Sequence, residues 1–268
     1  MRSPASTFDL RTALSNEIEA AIEALSQGDS GRKAIHACRV RLKRARALAR
    51  VGHIGAPGLS AVFDDSARSI MQSLAGARDL SALAQTARTL AKQSRKKTAR
   101  AELKAIAEDL EAARENLPQV DLAAINAGLR DLHSLAQVWP EASERQIRRG
   151  ARRIVRRARR AWRKARNPTA SAERRHDLRQ REKDRLYAAT LLGDAWPVKR
   201  RLTRNRTLTE LLGQEHDIRL LITRLTAPST ASGGPHDGEA ALRVLRRRQA
   251  KLMRRSRRVS AQLHRKRA

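Results

Sequence analysis

The chain has 268 residues, room for one large domain or two ordinary ones, each able to bury a core. It carries 58 Lys and Arg against 27 Asp and Glu, a formal charge of +31, and only 2% of its residues are aromatic. With 40% hydrophobic residues it is no solvated tail, its single Cys38 excludes an internal disulfide or a thiolate zinc cluster, and no apolar run of about 20 residues offers a membrane span.

The periodicity is helical from the start. Residues 1–10 hold Pro4 and Asp9 in place of an apolar signal core, so the reading is a cytoplasmic, reducing location. Leu14, Ile18, Ile22 and Leu25 share one stripe, and Gly28-Asp29-Ser30-Gly31 ends it. A basic helix comes next around His36 and stops in the Gly52–Gly58 stretch. Val62/Phe63, Ser66, Ile70 and Leu74 form the next stripe, then Leu103, Ile106, Leu110, Ala113 and Leu117. Pro118, Pro140, Asn167-Pro168 and the Gly193–Pro197 stretch punctuate the rest of the chain, and residues 227–238 read as a mobile loop. No segment alternates long enough for a strand, and the expectation is an all-α protein of roughly ten helices.

Charge is uneven along the chain. Residues 1–31 hold two arginines against five acids, so the basic excess lies downstream. Arg145–Arg166 contains no acid, yet Ile147, Ala151, Ile154, Ala158, Trp162 and Ala165 keep helical spacing; Arg243–Arg267 repeats the pattern. Solvated faces usually mix signs, and like charges four residues apart cost a helix a few tenths of a kcal/mol per pair. An external polyanion is the simplest compensation.

The sharpest signal is His36-Ala-Cys-Arg39-Val-Arg-Leu-Lys43-Arg44-Ala-Arg46. At helical spacing His36, Arg39, Lys43, Arg46 and Arg50 fall within an arc of about 80° beside the apolar Ile35, Cys38, Leu42, Ala45 and Ala49. Cations repeating every 5–6 Å or so suit a linear anion charged at every unit: arginine offers a fork for phosphate oxygens, lysine a point charge. His176, Arg179 and Lys183 repeat the spacing, with Tyr187 continuing the face. About 40 residues after each histidine stand Asp79 and Asp217, with Arg68 and Arg206 upstream of them. The repeat distance, about 140 residues, implies a duplication into two related helical bundles spanning residues 8–137 and 141–268 of one domain.

This pattern, H-x-x-R-x-x-x-K-R-x-R followed some forty residues on by R-D or L-G-x-x-H-D and then repeated, resembles the CHAD domain (conserved histidine α-helical domain) over nearly the whole chain. The resemblance implies an all-α fold of two pseudo-two-fold-related bundles around a basic central channel, and binding of inorganic polyphosphate, in some members on polyphosphate granules. It would place His36, Arg39, Lys43, Arg46, His176, Arg179 and Lys183 along that channel. Arg44, Arg50, Arg68 and Arg206 complete the candidate polyphosphate-binding set. The second copy departs from the first, with Asp184 and Leu186 where Arg44 and Arg46 stand, which makes Asp184 a candidate partner for a nearby cation.

Each signal has a plainer reading. A histidine beside an apolar face is usually a packed residue, but both of these head a cationic row, which favours an anion-facing role and binding that strengthens at mildly acidic pH. Asp79 and Asp217 read as structural, pairing with arginine or capping a helix. His216-Asp217 lacks a nucleophile at suitable spacing. Glu17-Ile-Glu19 begins an E-x-E-x-K string of the triphosphate tunnel enzymes often fused to this family, but Ala21 stands where lysine should be. Neither a Walker loop nor a metal-ligand spacing is present, so no enzyme activity, metal or cofactor is expected. The leading function is non-catalytic polyphosphate binding, granule-associated. The alternative is sequence-independent nucleic-acid binding by the basic helices, against which the scarcity of stacking aromatics counts.

Overall fold

The structure, a computed structural model, describes residues 8–26, 32–118, 120–227 and 238–265. The Gly28–Gly31 loop, residues 228–237 of the expected mobile loop, and Lys266 and Arg267 lie outside the described residues. The described residues form ten α-helices and no strand. They are α1 (Leu10–Ser26), α2 (Arg32–Gly52), α3 (Pro57–Ser73), α4 (Gly76–Gln93), α5 (Lys97–Glu115), α6 (Leu122–Gln137), α7 (Glu144–Ala165), α8 (Ala172–Leu192), α9 (Leu202–Thr226) and α10 (Glu239–His264), with a 3₁₀ turn at Gly193–Ala195.

Several helix starts obey local chemistry. Pro57 opens α3, where a missing N–H costs nothing. Asp121 and Ser171 accept the backbone N–H three residues on, and Ser143 with Gln146 closes a reciprocal capping box at the start of α7. Two breaks carry no strong sequence signal. α3 ends where the Leu74 N–H bonds back to Ile70 and the Ala75 N–H to Gln72, just before Gly76. α4 ends at Ser94, whose hydroxyl bonds the Leu90 carbonyl one turn back.

The chain divides into two compact units, residues 1–75 with 120–206, and residues 76–119 with 207–268. Each sequence half, 8–137 and 141–268, therefore contributes helices to both units. In the first unit α2 is the central helix and packs against α1, α3, α7 and α8. Its fully buried Leu42, Ala45, Ala47, Leu48 and Ala49 join Leu14 and Ile18 of α1, Phe63 and Ala67 of α3, and Leu129 and Leu132 of α6. Phe63 meets Trp139 edge to face with centroids 5.8 Å apart. α7 approaches α2 at Gly150, where a Cβ would lie 2.0 Å from the Val51 carbonyl oxygen. The second unit packs α4 against α5 and α5 against α10, around Leu90, Leu103, Leu110, Leu221 and Leu245.

Candidate anion-binding site

The row on α2 has a graded environment. His36 is exposed, Arg39 is buried, and Lys43, Arg46 and Arg50 are half-buried. Arg39 donates through Nη1 to the Met71 carbonyl at the end of α3, 2.6 Å away. That bond fixes the guanidinium against the neighbouring helix.

Further along, the arginines are ordered by carboxylates. Asp64 of α3 accepts from Arg46 Nε at 2.8 Å, from Arg50 Nη2 at 2.7 Å and from Arg68 Nη2 at 2.9 Å. Burial works against ionisation of Asp64, but the Arg46 hydrogen bond and the charges of Arg50, Arg46 and Arg68 outweigh it and hold the carboxyl below its ordinary range. The other fork of Arg50 reaches Asp184 of α8 at 2.5 Å, and Arg181 lies 3.5 Å from the second Asp184 oxygen. Here burial dominates: it pushes the Asp184 carboxyl up despite Arg50, Arg181, Arg46 and Arg157 pulling the other way. Asp184, which stands in the α8 row where Arg44 stands in that of α2, thus joins α8 to α2 through Arg50.

α8 carries the second row. His176, Arg179 and Lys183 are all half-buried, and the His176 Nε2 is 2.8 Å from Gln180 Nε2 one turn on. Because α8 packs against α2, histidine-headed rows about 140 residues apart in sequence lie on neighbouring helices of one unit.

Two members of the setting come from α7 and were not singled out by their sequence. Arg153 and Arg157 are half-buried. Burial, then Arg181, Arg153 and Arg50, lower the Arg157 guanidinium from its ordinary value, with Asp184 opposing. Burial, then Arg153 and Arg157, likewise lower the His53 imidazole. A signal existed: both arginines flank the apolar stripe of Ile154 and Ala158, where a side chain faces neighbouring helices instead of bulk water. Asp64 had one too, standing four residues before Arg68.

Other candidates point elsewhere. Arg44 turns to α1, where buried Glu17 accepts from its Nε at 2.8 Å and its Nη2 at 2.7 Å, with Arg41 at 3.4 Å. Glu19 instead meets His133 Nε2 at 2.9 Å, so the two carboxylates of the Glu17-Ile-Glu19 string diverge. Arg68 bridges Asp64 and Asp65 on its own helix, largely in solvent. Arg206 is exposed near the start of α9. Asp79, in the first turn of α4, and Asp217, within α9, belong to the second unit. Among the described residues no group of His, Cys, Asp and Glu is placed to hold a metal ion, and no helix is long and apolar enough to cross a membrane.

The first unit can therefore present ordered cations from α2, α7 and α8 to a multiply charged anion. Among solved structures, the chain is similar to the CHAD domain from the plant Ricinus communis, with a TM-score of 0.64 and 18% identity, covering 100% of this chain and 97% of that one. It is also similar to PptA from Streptomyces chartreusis, with a TM-score of 0.59 and 16% identity over 95% of both chains. Those likenesses are of fold. No curated protein sequence matches the chain. The family model that matches is the CHAD domain, over residues 11–226. The chain belongs to the CHAD domain family.

Proposed function

We propose that this protein binds inorganic polyphosphate without chemically altering it, along a channel wall formed by α2 and α8, and that it associates with polyphosphate granules. The observation that carries the reading is the packing of α2 on α8, which brings Arg39 and Lys43 onto the same unit as Arg179 and Lys183. Arginine forks held by Asp64 and Asp184 lose little side-chain freedom on meeting phosphate, which favours binding. Polyphosphate carries charge at every unit and has no bases, and the chain's 2% aromatic content suits a ligand that needs no stacking.

The test is a titration of the full chain with long-chain polyphosphate at several salt concentrations, together with an assay for released phosphate. Arg39→Ala with Lys43→Ala, and Arg179→Ala with Lys183→Ala, should each weaken binding about tenfold or more, and no phosphate should be released. The same loss of charge at exposed Arg246 and Arg247 of α10 should matter far less. Equal losses would mean undirected charge attraction, and released phosphate would mean an enzyme.

A further inference from the structure

The outer face of α7 carries a second array of cations that the polyphosphate reading does not use. Arg145, Arg149, Arg152, Arg156, Arg160 and Arg163 are all exposed. At helical spacing they fall within an arc of about 80° and run for about 27 Å. Opposite them, buried Ile147, Ala151, Ile154 and Ala158 anchor the helix to the core. Among the described residues none of the six has a carboxylate partner; the one acid of α7, Glu144, is paired with Arg148 at 3.2 Å. This contrasts with Arg46 and Arg50, whose charges Asp64 and Asp184 offset within the fold.

We propose that this face of α7 is a docking surface for duplex DNA, read through its phosphates and without sequence preference. An uncompensated row of like charges raises the energy of the free protein, and a polyanion relieves it. The arc presents no apolar side chain to enter a bilayer and no aromatic ring to stack unpaired bases, which disfavours anionic lipid and single strands. An α-helix about 10–12 Å across fits the B-form major groove, about 12 Å wide, where arginine forks reach phosphates on both sides. The deep, narrow major groove of A-form RNA does not admit it.

The decisive measurement is fluorescence anisotropy on the full chain with a labelled DNA duplex of about 20 base pairs, from low to physiological salt. Arg149→Gln, Arg152→Gln, Arg156→Gln and Arg160→Gln combined should lower duplex affinity at least tenfold or so and flatten the salt slope by roughly 0.9 for each phosphate no longer neutralised. Polyphosphate affinity should stay within about twofold of the parent, so this proposal and the polyphosphate reading can fail separately. Unchanged duplex binding, or a parallel fall in polyphosphate binding, would overturn it. So would single strands, A-form RNA duplex or anionic vesicles binding the parent chain as tightly as duplex DNA. Should the combined variant fail to fold, the parent chain decides. One equivalent of polyphosphate should leave the duplex bound in a ternary complex, and its release would refute a separate surface.

Discussion

The carboxylate of Asp64 holds the guanidinium groups of Arg46, Arg50 and Arg68 in one place, so its loss acts on all three at once. Asp64→Asn should cost about 1–3 kcal/mol in denaturant unfolding, because partly buried arginines lose a charged acceptor while Arg50 keeps Asp184. The pH dependence stems from the lowered carboxyl. A group whose folded value lies below its unfolded one stabilises the fold above the unfolded value, and that stability is lost as pH falls through the folded value. Asp64→Asn should therefore lose stability at neutral pH but show a shallower fall below about pH 4 than the parent. A parallel acid limb in both would contradict the pairing. At Cys38, burial pushes the thiol up to about 12. A thiol reagent at neutral pH should label it only as fast as the protein opens, and immediate labelling of the native chain would refute its burial.

At the scale of the element, α7 depends on two features of opposite kind, the basic outer row and a close inner approach. Its approach to α2 requires glycine: Gly150→Ala would drive a Cβ into the Val51 carbonyl at 2.0 Å, and the backbone must move because carbonyls do not swing aside. A loss of about 3 kcal/mol is expected on urea unfolding, against the fraction of a kcal/mol by which alanine normally improves a helix. Gly213 within α9 is the control. A Cβ there meets nothing within 4 Å, so Gly213→Ala should stabilise by about 0.5–1 kcal/mol. The opposite order of the two would mean that α7 does not pack as described. Helix identity was legible where apolar residues keep 3.6-residue spacing, as along α1, α3, α5 and α7, and the boundaries at Pro57, Ser143 and Ser171 could be read from capping chemistry. The breaks at Leu74 and Ser94 could not, because neither residue type demands a stop.

For the whole molecule, +31 charges on 268 residues act as a stored repulsion. A ligand that binds the folded chain raises its midpoint as the logarithm of its concentration, so long-chain polyphosphate should raise Tm well beyond an equal concentration of phosphate as monomer. Equal shifts from both would reduce the effect to screening.

The sequence by itself determined that this is a helical, strongly cationic CHAD domain chain, because periodicity, charge and the histidine-headed spacing are local properties of the polymer. Only the tertiary structure decided which cations stand together. Arg44 looks equivalent to its neighbours along α2 but turns to Glu17 of α1, while Arg157 of α7 comes to lie in the field of Arg50 and Arg181. Asp184 likewise becomes the partner of Arg50, across 134 residues of chain. Those choices depend on which helices pack side by side, and the energy of bringing distant segments together cannot be read from either segment alone.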